Sequence, residues 1–482
     1  MTYLGLSGAP RGVGQLRGAQ SFPDAAKEAL GNDQLRANLK AATTTIRAKR
    51  AQVVAEVPDW TQLRSAAAAI KDETLANLEN YLVEFESHVV ECGGVVHWAR
   101  DANEANQIVV EIVTAAGASE VVKVKSMATQ EIGLNEALSD AGVAAIETDL
   151  AELIVQLGHD WSSHILVPAI HRNRNEIRDI FLREMDGVDP DLSNDPPALT
   201  EAARRYLREK FLSAGVAISG ANFAIAETGT LVVVESEGNG RMCLTLPGTL
   251  ITVMGIEKLL PQWRDLEVFL QLLPRSATGE RMNPYTSMWT GAVEGQEFHL
   301  ILLDNGRTAT LADPHGRAAL RCIRCSACLN VCPVYEKVGG HAYGSVYPGP
   351  IGAVLSPQLT GVSDNPSLPF ASTLCGACLD VCPVAIDIPN MLVHLRSRVV
   401  GERHGGARPS LESMSMSGMA LAMGGPRRFE IALKALRVGR LLNGRWSSSR
   451  GRGPLSAWLR YRDLPTLPKK SFRDTLEKRD SR

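Results

Sequence analysis

Seven of the nine cysteines in this 482-residue chain fall between Cys322 and Cys382. The first run reads Cys322-Ile-Arg-Cys325-Ser-Ala-Cys328-Leu-Asn-Val-Cys332-Pro333, and the second reads Cys375-Gly-Ala-Cys378-Leu-Asp-Val-Cys382-Pro383. The first has the C-x2-C-x2-C-x3-C-P spacing with which bacterial-type ferredoxins hold iron–sulfur clusters, and the second is the same motif short of one cysteine. Three cysteines at x2 spacing wrap one cluster, and the cysteine before proline crosses to the neighbouring cluster. That crossover predicts cluster one on Cys322, Cys325, Cys328 and Cys382, and cluster two on Cys332, Cys375 and Cys378. Counting back three positions from Cys375 gives Ser372, a harder oxygen donor and the candidate fourth ligand of cluster two. Two [4Fe–4S] clusters are expected, cluster two completed by Ser372, water or another ligand, with [3Fe–4S] as the alternative for cluster two. Zinc also binds C-x2-C pairs, but seven cysteines with two Cys-Pro exits suit it poorly. Cys92 and Cys243 lie far off in sequence and are expected to be small buried hydrophobes.

The elements that position these cysteines follow from periodicity. Residues 24–91 repeat apolar side chains at helical spacing. Beyond Gly93-Gly94, short β-rich runs (Val95–Trp98, Val121–Lys125, Val143–Ile146 and His164–Val167) alternate with helical stretches. Alternation of that kind predicts βα units around a mostly parallel sheet. Phe223 to Glu235 reads as a hairpin turning near Thr228-Gly229, and Leu250–Met254 and Phe298–Leu303 as further strands. Gly339 to Pro369 is dense in Gly, Pro, Ser and Asn, lacks helical periodicity, and is expected to be a long surface loop. Met391–Val400 reads as an amphipathic helix and Arg427–Leu442 as a short one, with an extended end near Arg462–Arg473. The expected organisation is an N-terminal lead-in and helical segment (1–59), an α/β domain (60–310), a ferredoxin-like iron–sulfur module (311–400) and a basic C-terminal region (401–482).

Charge narrows the function classes. Net charge is only −2, yet from Gly401 onward 18 Lys/Arg face 7 Asp/Glu. The arginines are scattered without interleaved aromatics, so docking to an acidic partner subunit or to the chain's own acidic body is expected rather than nucleic acid. No apolar h-region opens the chain and no stretch has the length of a membrane span, so a cytoplasmic protein is expected. No P-loop or dinucleotide fingerprint is present. Two further polar groupings have open readings. Gly220 to Thr230, with Glu235, Glu237 and Asn239 close behind, is either the rim of a ligand pocket or a capped turn. His164, Pro168, His171, Asn173 and Arg174 read first as a helix-entry turn and second as a site of acid–base chemistry.

Five stretches together carry a family resemblance: Glu147–Glu152, His164–His171, Asn222–Thr230, the two cysteine runs, and Leu464–Arg473. Their order resembles the lactate-utilization protein B family, the iron–sulfur subunit of the bacterial L-lactate utilization system. The resemblance implies a lactate-utilization (LUD) α/β domain similar to the sugar-phosphate isomerase and CoA-transferase group (NagB/RpiA/CoA-transferase-like). An alpha-helical ferredoxin-like 2x[4Fe–4S] module and the family's own C-terminal domain would follow it. It implies partners too: a cysteine-rich-domain subunit, a second LUD protein, and a quinone or carrier protein as electron acceptor. Through them the chain would sit peripherally at the inner face of the membrane. The implied function is electron transfer within a complex that oxidises L-lactate to pyruvate. The alternatives are a LUD-domain enzyme or binding protein for a CoA-like or phosphorylated ligand with regulatory clusters, or a scaffold whose clusters hold subunits together. No catalytic residue is assigned; Glu227 and Glu235 are not given that role.

Overall fold

The computed structural model describes residues 20–364, 366–404, 411–435 and 472, 475 and 476. Two compact units divide the chain at Val399–Val400. The first opens with four helices, Phe22–Ala29, Asp33–Ala55, Trp60–Ala76 and Leu78–Glu91. Asn32 caps the second of them by accepting a hydrogen bond from the Leu35 N–H.

Ten strands follow: β1 (Val95–Ala99), β2 (Glu120–Lys123), β3 (Ala144–Glu147), β4 (Val216–Ser219), β5 (Phe223–Ile225), β6 (Thr230–Glu235), β7 (Thr249–Gly255), β8 (Leu259–Leu260), β9 (Tyr285–Thr290) and β10 (Glu297–Leu303). Six of them form one sheet in the order β1-β10-β7-β4-β2-β3, parallel throughout. Its central strands are buried on both faces, and every residue of β4 and β7 is buried. Helix Ala102–Ala115 packs Val109 and Val113 into the core on one face, and helix Pro196–Ser213 packs Leu207 and Phe211 into the core on the other. The smaller sheet, β8-β5-β6-β9, contains the expected hairpin. Its turn is the 3-10 segment Ala226–Thr228 closed by Gly229 at φ 69°, where an added Cβ would lie 2.8 Å from the His88 Cβ.

The region of the cysteines shares a hydrophobic core with the N-terminal helices and the smaller sheet. Leu39, Trp60, Phe269, Tyr335, Leu355 and Ile386 belong to one cluster. Three segments differ from the sequence reading. Gly339–Pro369 is not a surface loop: it contains helix Gly349–Thr360, all twelve residues of which are buried. A helix buried on all sides has no amphipathic stripe to detect. His164–Val167 is not a strand, because the Leu166 and Val167 N–H groups donate to His164 Nδ1 instead of to a neighbouring strand. Finally, β9 is an edge strand that the sequence reading passed over.

In the second unit, helix Leu411–Met423 and a helical stretch over 426–435 are described. The lead-in before residue 20, the part of the Arg427–Leu442 helix beyond 435, and nearly all of the extended end lie outside the described residues. No described helix is long and apolar enough to cross a membrane.

Candidate iron–sulfur site

The two cysteine runs build the same turn twice. Arg324 and Ser326, flanking Cys325, take left-handed backbones at φ 61°, as do Leu374 (φ 55°) and Gly376 (φ 85°) flanking Cys375. Non-glycine residues adopt this conformation at a cost and hold it only where surroundings demand it. In the first run it aims the Arg324 N–H at sulfur, and two further N–H groups reach sulfur from beyond the Cys-Pro exits. Cys322 Sγ accepts from the Arg324 N–H at 3.4 Å, Cys332 Sγ from Tyr335 at 3.5 Å, and Cys382 Sγ from Ile386 at 3.3 Å. Short helices Ala327–Asn330 and Ala377–Val381 then carry Cys328 and Cys378.

The thiols gather in two groups. Cys322, Cys325, Cys328 and Cys382 line one small cavity closed by Ile351 and Ile388. Cys332, Cys375 and Cys378 form the other, where Cys332 feels the charge of Cys375, and Cys378 that of both. Burial pushes up the thiols of Cys325, Cys328, Cys332 and Cys382, and neighbouring cysteines push further. Cys378 is driven up to about 12, by burial first and then by Cys332. So many buried, mutually repelling sulfurs beside aimed N–H donors suit a cationic metal centre, which binds thiolates and displaces their protons. The donor set therefore fits iron–sulfur clusters.

Ser372 stands in the second run where Cys322 stands in the first. Its Oγ accepts from the N–H two residues on, that of Leu374, at 3.1 Å, the counterpart of the Cys322–Arg324 contact. It is half-buried, and Cys375 is exposed. Of the remaining cysteines, Cys243 is buried as expected, but Cys92 is exposed at the end of helix Leu78–Glu91. A helix C-terminus facing solvent needs no apolar filler at that position.

The sequence reading missed the ionic chain that ties the first cysteine loop to the sheet. Arg324 donates to Glu257 Oε1 at 3.2 Å, Glu257 Oε2 accepts from Arg307, and Arg307 reaches Glu131 at 2.8 Å. The Tyr347 hydroxyl donates to Glu131 Oε2 at 2.6 Å. All five side chains are buried. Burial pushes the Glu257 carboxyl up, but the charges of Arg307 and Arg324 prevail and hold it at about 2. The second run is clamped from the helices: Arg64 donates to the carbonyls of Cys382 (2.7 Å) and Leu379 (2.8 Å).

The histidine grouping divides. Asn173 caps helix Arg174–Glu184 in a capping box with Glu176. Buried His164 meets Asn330 at 3.2 Å, and burial drives it down to about 3. His171 meets Asp160 at 2.7 Å, and the ligating atoms of Asp160, His171 and His341 lie within 4.8 Å of one another. Arg172 also bonds Asp160, and His341 is engaged with the Trp161 carbonyl, so these groups hold each other. Glu227 accepts from the Trp263 N–H, and Glu235 from those of Gly240 and Arg241. Glu235, Glu237 and Asn239 also line a cavity at the ends of the parallel strands.

Comparison with known proteins bears on both regions. The LUD domain family matches residues 82–304, a 4Fe-4S dicluster domain 318–386, and the C-terminal domain of lactate utilisation protein B 393–481. Lactate utilization protein B 1 of Bacillus mycoides is 40% identical over 97% of this chain and 98% of its own length. The chain belongs to the lactate utilization protein B family. Lactate utilization protein B of Bacillus subtilis is also 40% identical, over 96% of this chain and 97% of its own length. So is a protein of Escherichia coli K12 described as an electron transport protein, over 90% of this chain and 91% of its own. The α/β region is accordingly a LUD domain and the cysteine region an iron–sulfur module of the dicluster class.

Proposed function

We propose that this protein is the iron–sulfur electron-transfer subunit of a complex that oxidises L-lactate to pyruvate. The observation that carries the reading is the gathering of seven cysteines into two groups on a backbone whose N–H groups point at sulfur. Cys322, Cys325, Cys328 and Cys382 would hold one [4Fe–4S] cluster. Cys332, Cys375 and Cys378 would hold a second with Ser372 as fourth donor, or a [3Fe–4S] cluster if Ser372 does not bind. When bound, such clusters supply one-electron transfer. Lactate becomes pyruvate by losing two electrons and two protons.

The chain's own residues serve this role in different ways. Ile351, Val384, Ile386 and Ile388 exclude water from the first group. The N–H groups of Arg324, Tyr335 and Ile386 would stabilise thiolate charge. The exposed Cys375 and Leu374 leave the second group open to a partner. The relatives' names, lactate utilization and electron transport, support the reading, as does the family's C-terminal region. The partners would be a cysteine-rich-domain subunit and a second LUD protein, with a quinone or carrier beyond them, at the cytoplasmic side of a membrane. Anaerobic EPR of the dithionite-reduced protein tests the reading: two interacting cluster signals are expected. Clusters that stay silent across physiological potentials would overturn it.

A further inference from the structure

A cavity of about 410 Å³ opens at the carboxyl ends of β2, β4 and β7, where Lys125, Asn222 and Lys258 follow those strands. Ligands of parallel α/β sheets bind at this edge. Ile323 and Arg324, the two residues between Cys322 and Cys325, form part of its wall. The cavity therefore touches the loop that presents the first cysteine group.

Asp149, Glu235 and Glu237 line it, and so do Lys125, Lys258, Arg307 and Arg324. Most are already engaged. Arg307 and Arg324 are neutralised by Glu131 and Glu257. The Lys125 ammonium donates to the Leu166 carbonyl at 2.8 Å. Asp149 and Glu235 accept backbone N–H groups, as does Glu237 from Leu150 at 3.1 Å. Lys258 differs. Half-buried in the cavity lining, its ammonium makes no hydrogen bond or ion pair among the described residues. Its neighbour Lys71, by contrast, donates to the carbonyls of Glu257 and Leu259. Burial and then Arg324 push Lys258 down to about 8, against the pull of Glu257. Glu257 and Cys322 attract its charge without bonding it, and a desolvated ammonium that no acceptor reaches is unfavourable unless an anion joins it.

We infer that this cavity is the binding site of the 2-hydroxycarboxylate substrate, with Lys258 as the counter-ion of its carboxylate beside the Cys322–Cys325 loop. The carboxylate of the monoanion would meet Lys258, and its hydroxyl would donate to one of the carboxylates of the lining. The inference rests on the lactate reading above and adds the location of the site and its anchoring residue.

The test is calorimetric titration of L-lactate into the full-length, cluster-loaded protein. Wild type is compared with Lys258→Gln and Lys258→Arg, at matched iron content and circular dichroism. Lactate should bind wild type, bind Lys258→Gln at least about tenfold more weakly, and regain affinity in Lys258→Arg, as expected for loss of a charged hydrogen bond. Equal binding by wild type and Lys258→Gln, or no binding of lactate to wild type, overturns the inference. So does Lys258-dependent binding of coenzyme A or inorganic phosphate in place of lactate. A second readout separates this inference from the function it rests on: lactate-driven cluster reduction in the assembled complex. If Lys258→Gln is reduced as fast as wild type, the site is wrong and electron transfer stands. If lactate binds through Lys258 yet reduces nothing, the site stands and electron transfer fails.

Discussion

Replacing Glu257 with glutamine would leave the guanidinium groups of Arg307 and Arg324 buried beside an uncharged amide. Glu257 is 1% exposed, and the side chains of Arg307 and Arg324 are 2% and 8% exposed, so water cannot take over the lost charge. Removing one member of a buried ion pair costs about 3–5 kcal/mol. The acid titration of the same group gives a similar figure. Its carboxyl lies at about 2 in the folded protein against 4.5 ordinarily, which corresponds to about 3 kcal/mol. Because the folded value is depressed, that stabilisation is complete above pH 4.5 and is lost as the pH falls toward 2. Anaerobic denaturant unfolding, followed by circular dichroism and by visible cluster absorbance, measures the effect. Glu257→Gln should lose about 3 kcal/mol, a large part of the roughly 5–15 kcal/mol of a typical folded protein. It should release its clusters at lower denaturant as well, since Arg324 belongs to the first cysteine loop. Asp72→Asn is the control: its pair with Arg321 is short, 2.6 Å, but Asp72 is 52% exposed, and the cost should stay below about 1 kcal/mol. A Glu257→Gln protein within about 1 kcal/mol of wild type would refute the claim that this ionic chain fastens the cysteine loop to the sheet.

Three other expectations follow from particular contacts. Ser372→Cys should raise retained iron and change the EPR of cluster two alone, and Ser372→Ala should lower iron occupancy; if neither variant differs from wild type, Ser372 is not a ligand. Gly340→Ala would set a Cβ 1.9 Å from the Ser163 carbonyl oxygen, so thermal unfolding should show a loss of at least about 2 kcal/mol. His164 is held neutral at about 3 against 6.5. Its contribution is therefore complete above pH 6.5 and falls by about 1.4 kcal/mol per pH unit toward pH 3. His164→Gln should unfold with a flatter acid dependence than wild type, and identical pH profiles would contradict the assignment.

Local chemistry explains what could be read in advance. The strands β1 to β3, the hairpin of β5 and β6, and the helices on either side announce themselves by period and turn residues. Helix Gly349–Thr360 did not, because it contains Pro350, Gly352 and Pro357 and is buried all round. The run His164–Val167 looked like a strand by side-chain type, yet its backbone donors are taken by the histidine at its own start. The spacing of the cysteines pointed to a cluster chemistry, and Ser372 could be singled out by counting. Nothing local could pair Arg324 with Glu257, 67 positions away, or Tyr347 with Glu131. Nor could it place Lys258 in a cavity walled by the first cysteine loop. Those relations exist only once the parallel sheet brings its strand ends to one edge.

The most direct measurement of the central claim is freeze-quenched EPR after mixing L-lactate with the oxidised, cluster-loaded protein and its partner subunits. Reduced-cluster signals should appear with lactate and pyruvate formation, and should be absent when lactate is withheld. Pyruvate formed without added acceptor, with its electrons recovered in the partner subunits' centres while both clusters of this chain stay oxidised, would contradict it.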